Sequence, residues 1–314
     1  MRPNFMNTKT YKIVIAVSIL VILGAGIFFL GKDTLVQEEK GKISVVASFY
    51  PLAYLATAVG GELITVVNLT PPGAEPHDFD PSPRDIEMLS RAHMFIYNGG
   101  GLEPWVEGWK NGAFKHPPLT INMINKLKEG GEELIERGGA TDPHVWLDPS
   151  MLKKEAEIIR DALILADPSH AKAYRDNTAR LVGELGVLDT HYRDTLAACK
   201  LHDMIVSHEA FSYLGRAYDI SVISIAGISP DEEPSSKTIA FISDVAREKN
   251  IKYIFYEAIA SPKLSETIAR EIGAETLVLN TLESLTIDEL RGGEDYTSVM
   301  EQNLNNLKKA FVCQ

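Results

Sequence analysis

Leu63-Ile64-Thr65-Val66-Val67-Asn68-Leu69 runs directly into Thr70-Pro71-Pro72-Gly73-Ala74-Glu75-Pro76-His77-Asp78-Phe79-Asp80-Pro81-Ser82-Pro83-Arg84, and the junction between the two decides how the chain reads. The first segment is short, rich in β-branched residues and preceded by Gly60-Gly61, the pattern of a strand. A helical pattern begins near Arg84, with Ile86 and Leu89 three apart on one face. The intervening stretch is therefore a loop at the end of a strand, where α/β sheets place their ligands. Its five prolines fix backbone φ and lower the entropy of holding one shape. At its centre His77 stands among Glu75, Asp78 and Asp80, a setting that suits a metal ligand with carboxylates to orient it.

Two other histidines share a loop-edge setting of this kind, and one glutamate joins them. His144 lies in the Pro-bounded turn Thr141-Asp142-Pro143-His144-Val145-Trp146-Leu147-Asp148-Pro149-Ser150, again with aspartates beside it. His208 follows the strand-like run Asp203–Ser207, and Glu283 stands just past the last strand-like run, Thr276–Asn280. Three imidazoles and one carboxylate form a small N/O shell that suits zinc at neutral pH. Asn280 lies nearer the strand end, but an amide oxygen is a weaker donor to zinc than a carboxylate. Glu283 is accordingly the expected fourth ligand, and Asn280 a turn residue or a support behind the shell.

The rest of the chain alternates strand and helix. Ile43–Ser48, Leu63–Leu69, Met94–Tyr97 and Leu119–Met123 read as strands of a first set, with helices over Leu52–Val59, Arg84–Ala92 and Glu103–Asn111. Asp203–Ser207, Val222–Ala226, Lys252–Tyr256 and Thr276–Asn280 form a second set, with helices over Thr238–Lys249, Leu264–Ile272 and Tyr296–Phe311. This predicts an α/β fold with parallel sheets and right-handed crossovers. Between the sets, Ser150 is placed to cap a helix over Met151–Ala166. Ala171–Ala198 then reads as one helix of about 28 residues, about 42 Å long, suited to a strut between two lobes. The expected divisions are 1–42, 43–166, 167–200 and 201–314. Lys126–Asp142, rich in Gly, Glu and Lys and without a clear period, reads as a mobile loop.

The bulk numbers narrow the function. A chain of 314 residues has room for two cores. A net charge of -12 argues against a nucleic-acid partner and fits a cation-handling protein. Arg2, Lys9 and Lys12 precede an apolar run, Ile13–Leu30, which at about 27 Å is close to the bilayer core. The basic flank predicts export of everything after it. An uncleaved anchor is the expectation and a cleaved signal the competing one. Cys199 and Cys313 form no CxxC pair; one disulfide and two buried thiols both fit. Glu209 beside His208 is half of a zinc-protease helix, but Ser212 stands where the second histidine belongs, so no enzyme is expected. His93, His116, His170, His191 and His202 lack the repeated ligand setting and read as surface or cap residues.

The strings Pro72-Gly73…Pro76-His77-Asp78-Phe79-Asp80-Pro81-Ser82, Asp142-Pro143-His144-Val145-Trp146-Leu147-Asp148-Pro149 and Ser207-His208-Glu209-Ala210-Phe211-Ser212-Tyr213-Leu214 resemble the solute-binding proteins of zinc ABC importers. So do Gly227–Ser235 and Asn280-Thr281-Leu282-Glu283-Ser284-Leu285. The resemblance covers Ile43 to the C-terminus. It implies two (β/α) lobes joined by a rigid helix with the metal bound between them. It also implies His77, His144, His208 and Glu283 as ligands, and a membrane-embedded ABC permease as partner of a monomeric, extracytoplasmic protein. The manganese branch usually replaces one histidine by a carboxylate, so His208 favours Zn2+ over Mn2+. Two departures stand out: Lys126–Asp142 contains no histidine, and no lipid-accepting cysteine follows the apolar run.

Overall fold

Eight parallel strands form two four-stranded sheets of the same connectivity. In the computed structural model, residues 41–112, 117–228, 230, 234–259 and 262–313 are described. The first sheet holds β1 (Ile43–Ala47), β2 (Ile64–Asn68), β3 (Met94–Tyr97) and β4 (Leu119–Asn122) in the order β2-β1-β3-β4. A short antiparallel hairpin follows, β5 (Glu136–Arg137) with β6 (Ala140–Thr141). The second sheet holds β7 (Asp203–Val206), β8 (Ser221–Ser224), β9 (Tyr253–Tyr256) and β10 (Glu275–Val278) in the order β10-β9-β7-β8. In both, the first strand lies between the second and third, so the chain reverses direction across the sheet at β1/β3 and at β7/β9. Ligands in open α/β sheets bind beyond the carboxyl ends of strands at such reversals.

The helices begin and end for local reasons. Ser82 and Asp85 close a capping box ahead of Pro83–Arg91, with Pro83 in its first turn. Gly273 ends Lys263–Ile272 in the left-handed region at φ 72°, which glycine adopts without a Cβ clash. The helix Ala171–Ala197 runs 27 residues and buries Tyr174, Thr178, Leu181, Leu185, Leu188, Tyr192 and Leu196, a stripe at helical spacing. It packs on the helices Tyr50–Gly60 and Pro149–Ala166 beside the first sheet and on Tyr296–Phe311 beside the second. One apolar cluster runs through both lobes, from Val45 and Phe49 through Trp146 and Tyr192 to Met204 and Phe311. The two lobes are thus joined by a shared core as well as by a helix. Cys199, just past the end of the long helix, is disulfide-bonded to Cys313 after the last one.

Two expectations need correction, and one helix was missed. Lys126–Asp142 is not a structureless loop: its start belongs to the helix Met123–Glu129, and its end is the β5–β6 hairpin. The hairpin is held on the second lobe by Arg137, whose Nε pairs with Glu209 at 2.8 Å, and by Tyr213, whose hydroxyl accepts from Ile135 N–H at 3.0 Å. These partners lie far away in sequence, which is why no local period announced them. Ser150 does not cap its helix; Asp148 does, accepting from Ser150 N–H, and the helix starts at Pro149. A further helix, Ile287–Gly292, capped by Thr286 and Glu289, was not anticipated because six residues are too few to show a period. Residues 13–30 and His116 lie outside the described residues. No helix among those described is long and apolar enough to cross a membrane.

Glu155 interrupts the apolar core. Its side chain on the Pro149–Ala166 helix is fully buried and neither carboxylate oxygen has a hydrogen-bond partner. Burial pushes its pKa from 4.5 up to about 8. Between those values the folded protein keeps a proton that the unfolded chain has lost. Stability therefore falls with rising pH across that window, by about 1.4 kcal/mol per pH unit. Glu155→Gln should remove this slope: its melting temperature should pull ahead of the parent protein's as pH rises from 5 to 8. An equal gap at both pH values would contradict a neutral Glu155.

Candidate metal centre

Four loops bring one ligand atom each to a single buried point. His77 sits on a short 3-10 turn, Pro76–Asp78, beyond β2, where Glu75 Oε1 accepts from His77 N–H at 3.2 Å and Pro76 fixes the first residue of the turn. His144 sits just after the hairpin, before the turn Val145–Leu147. His208 follows β7 after Ser207, and Glu283 stands in the turn beyond β10. The four ligating atoms all lie within 4.8 Å of one another. His144, His208 and Glu283 are fully buried, and His77 is 9% exposed.

The spacing fits a tetrahedral ion. Ligands held about 2.0–2.1 Å from zinc at tetrahedral angles stand about 3.3 Å apart. His77 Nε2 and His144 Nε2 are 3.3 Å apart, and Glu283 Oε1 is 3.2 Å from His144 Nε2. The same oxygen is 3.7 Å from both His77 Nε2 and His208 Nε2. His208 Nε2 and Glu283 Oε1 are buried without a hydrogen-bond partner. Such orphaned atoms are costly unless something else satisfies them, and a cation at the common centre would satisfy both. Glu283 Oε2 is not orphaned, since it accepts from Thr281 Oγ at 3.0 Å.

Each buried imidazole is turned by a carboxylate behind it. Asp142 Oδ1 lies 2.9 Å from His144 Nδ1 and also accepts from His144 N–H at 3.0 Å. Glu257 Oε1 lies 2.6 Å from His208 Nδ1 and accepts from Ser207 Oγ at 2.5 Å. With the proton on Nδ1, both rings aim the Nε2 lone pair at the centre. The charges reinforce one another. Burial works to lower the His208 pKa, but Glu257 and Glu283 outweigh it and raise it to about 10. For His144 burial is again outweighed, here by Asp142 and Glu283, and its pKa rises. Burial works to raise Glu283, yet the three imidazoles facing it hold it well below the usual carboxylate range.

The sequence reading placed all four ligand candidates, and the structure brings all four together. It did not find Glu257, whose position directly after the third strand of its lobe was the available signal. Asn280 is turned away: its Oδ1 accepts from Leu282 N–H at 2.7 Å and its Nδ2 donates to Glu289 at 2.9 Å. That bond supports Leu282 in the left-handed region at φ 57°, a strained conformation for a branched residue, next to Glu283. Across the lobes, Trp146 Nε1 donates to Thr281 O at 2.8 Å, and Gly73 N–H donates to Leu285 O at 2.9 Å. These bonds tie the His144 and His77 loops to the Glu283 turn.

Residues 45–310 match the family described as zinc-uptake complex component A, periplasmic. The chain is 36% identical over 286 residues to the high-affinity zinc uptake system protein ZnuA of Bacillus subtilis, covering 88% of this chain and 90% of that one. It is 34% identical to the zinc-binding protein AdcA of Streptococcus pyogenes serotype M1 across 95% of this chain, and spans 61% of the length of that longer relative. The Zn(II)-bound ZnuA-like domain of Streptococcus pneumoniae AdcA superposes with a TM-score of 0.76 at 35% identity, over 86% of this chain and 99% of the domain. The match takes in both sheets and every loop that reaches the buried centre: the chain belongs to the family of zinc-uptake binding components.

Proposed function

We propose that the protein captures Zn2+ outside the cytoplasm at His77, His144, His208 and Glu283 and delivers it to an ABC-type importer in the membrane. One observation carries this reading: four ligand atoms from four loops and both lobes meet within 4.8 Å, two of them buried and otherwise unpartnered. Three imidazole nitrogens and one carboxylate oxygen favour a borderline ion over Mn2+, which prefers oxygen. The donor set is closed, with four protein ligands and no open position for an activated water, as expected of a carrier. The apolar run Ile13–Leu30 would keep the binding unit, as a monomer, at the outer face of the membrane. The disulfide is at home in that oxidising compartment.

Elemental analysis of the protein purified without added metal, followed by competitive titration, tests the assignment. One zinc per chain, bound more tightly than manganese, is expected. Equal affinities, or no metal, would refute it.

The ligands should not weigh equally. Glu283→Ala leaves three imidazoles and should weaken zinc binding without abolishing it, whereas His144→Ala should cost more and Asn280→Ala little. Asp142→Asn should lower zinc affinity about 10- to 100-fold by freeing the His144 ring. A damaging Asn280→Ala beside a silent Glu283→Ala would show a misassigned fourth ligand. Protons compete with zinc at His144 and His208, whose pKa values lie above the usual imidazole range. Affinity should therefore rise with pH between 6 and 8, by up to about tenfold per unit for each proton released. A flat profile would mean that these rings do not bind the metal. Fractionation should find the protein in the membrane pellet after a high-salt wash; a soluble form starting between Gly31 and Lys42 would show a cleaved signal.

A further inference from the structure

Beside the three-imidazole centre lies a second group that shares only Glu283 with it. One carboxylate oxygen from each of Glu75, Glu257 and Glu283 lies within 4.8 Å of the others. Glu257 is fully buried, and while its Oε1 serves Ser207 and His208, its Oε2 has no partner. A buried carboxylate oxygen left bare is costly, and a cation among the three would satisfy it. Glu75 is only half-buried and stands on the same turn as His77, the one ligand with any exposure. Solvent therefore reaches the metal centre from the Glu75 side.

We propose that Glu75, Glu257 and Glu283 form a receiving site, where the incoming cation is held by carboxylates before it passes to the imidazoles. The inference rests on the zinc-binding reading above. Hydrated zinc arrives with a shell of oxygen donors. Carboxylates exchange with that shell one water at a time, and they concentrate cations at the mouth of a cleft. Glu283 belongs to both groups, so the ion can change its other ligands without releasing this one. Glu75 and Glu257 drop out as His77, His144 and His208 take over. Release follows the same steps in reverse, so one residue governs the rate in both directions.

Stopped-flow zinc binding, with a fluorescent chelator as competitor, compares the parent protein with Glu75→Gln and Glu75→Asp. The glutamine keeps an oxygen to accept from His77 N–H but cannot offer the cation a carboxylate. It should slow association and dissociation together, each by about tenfold. The aspartate, its carboxylate drawn back by one methylene, should fall between. Parent-like rates in both variants would overturn the proposal. So would faster dissociation with unchanged association, which would make Glu75 a permanent ligand. A parent protein that takes up no zinc would instead defeat the zinc-binding reading itself.

Discussion

Desolvation of four ligand atoms around one point is the constraint on which the rest of this structure depends. Three imidazoles and a carboxylate packed at 3.2–3.7 Å in a water-poor interior are tolerable only if the fully buried ones are oriented from behind and a cation completes the set in front. The first condition explains Asp142 behind His144, Glu257 behind His208 and Thr281 behind Glu283. It also explains why the supports come from the same loops or sheet as the ligands, since a ring held by the opposite lobe would lose its orientation whenever the lobes moved. Each lobe presents its candidate ligands ready-made, and a metal would join the two sets.

The joint is stiff. A shared apolar core, the long Ala171–Ala197 helix and the bond from Trp146 Nε1 to Thr281 O leave little room for a wide hinge. Gly73 donates to Leu285 across the lobes, and the β5–β6 hairpin reaches over to Glu209, next to His208. In such a frame, the proposed loading and unloading call for loop ordering and small tilts, with the Glu75 side as the proposed route. In this family member a hairpin latched by Arg137 takes up the segment that reads in sequence as a mobile acidic loop.

Much of this was legible beforehand. The β-branched runs before His77 and His208 are strands, and Tyr296–Phe311 is a helix, because short buried strands and an amphipathic helix carry strong local patterns. His77, His144, His208 and Glu283 stood out through their proline-rich or strand-end settings. What stayed hidden depends on residues remote in sequence. Glu257 stands directly after a strand, but that place alone does not announce a partner 49 positions away. Arg137 finds Glu209 only because the hairpin crosses between lobes. The pairing of Cys199 with Cys313, 114 positions apart, needed the two helix ends to be brought together in space. Asp148 displaced Ser150 as the cap because Pro149 already begins the helix, a shift of two residues within the ordinary uncertainty of helix ends.

The central claim is that both lobes supply ligands to one closed N/O shell around zinc. X-ray absorption at the zinc K edge on the zinc-loaded protein examines that shell directly. The predicted result is four light-atom ligands at about 2.0–2.1 Å, with the multiple-scattering signature of three imidazoles. A six-coordinate oxygen shell, or a signature of only one imidazole, would contradict it.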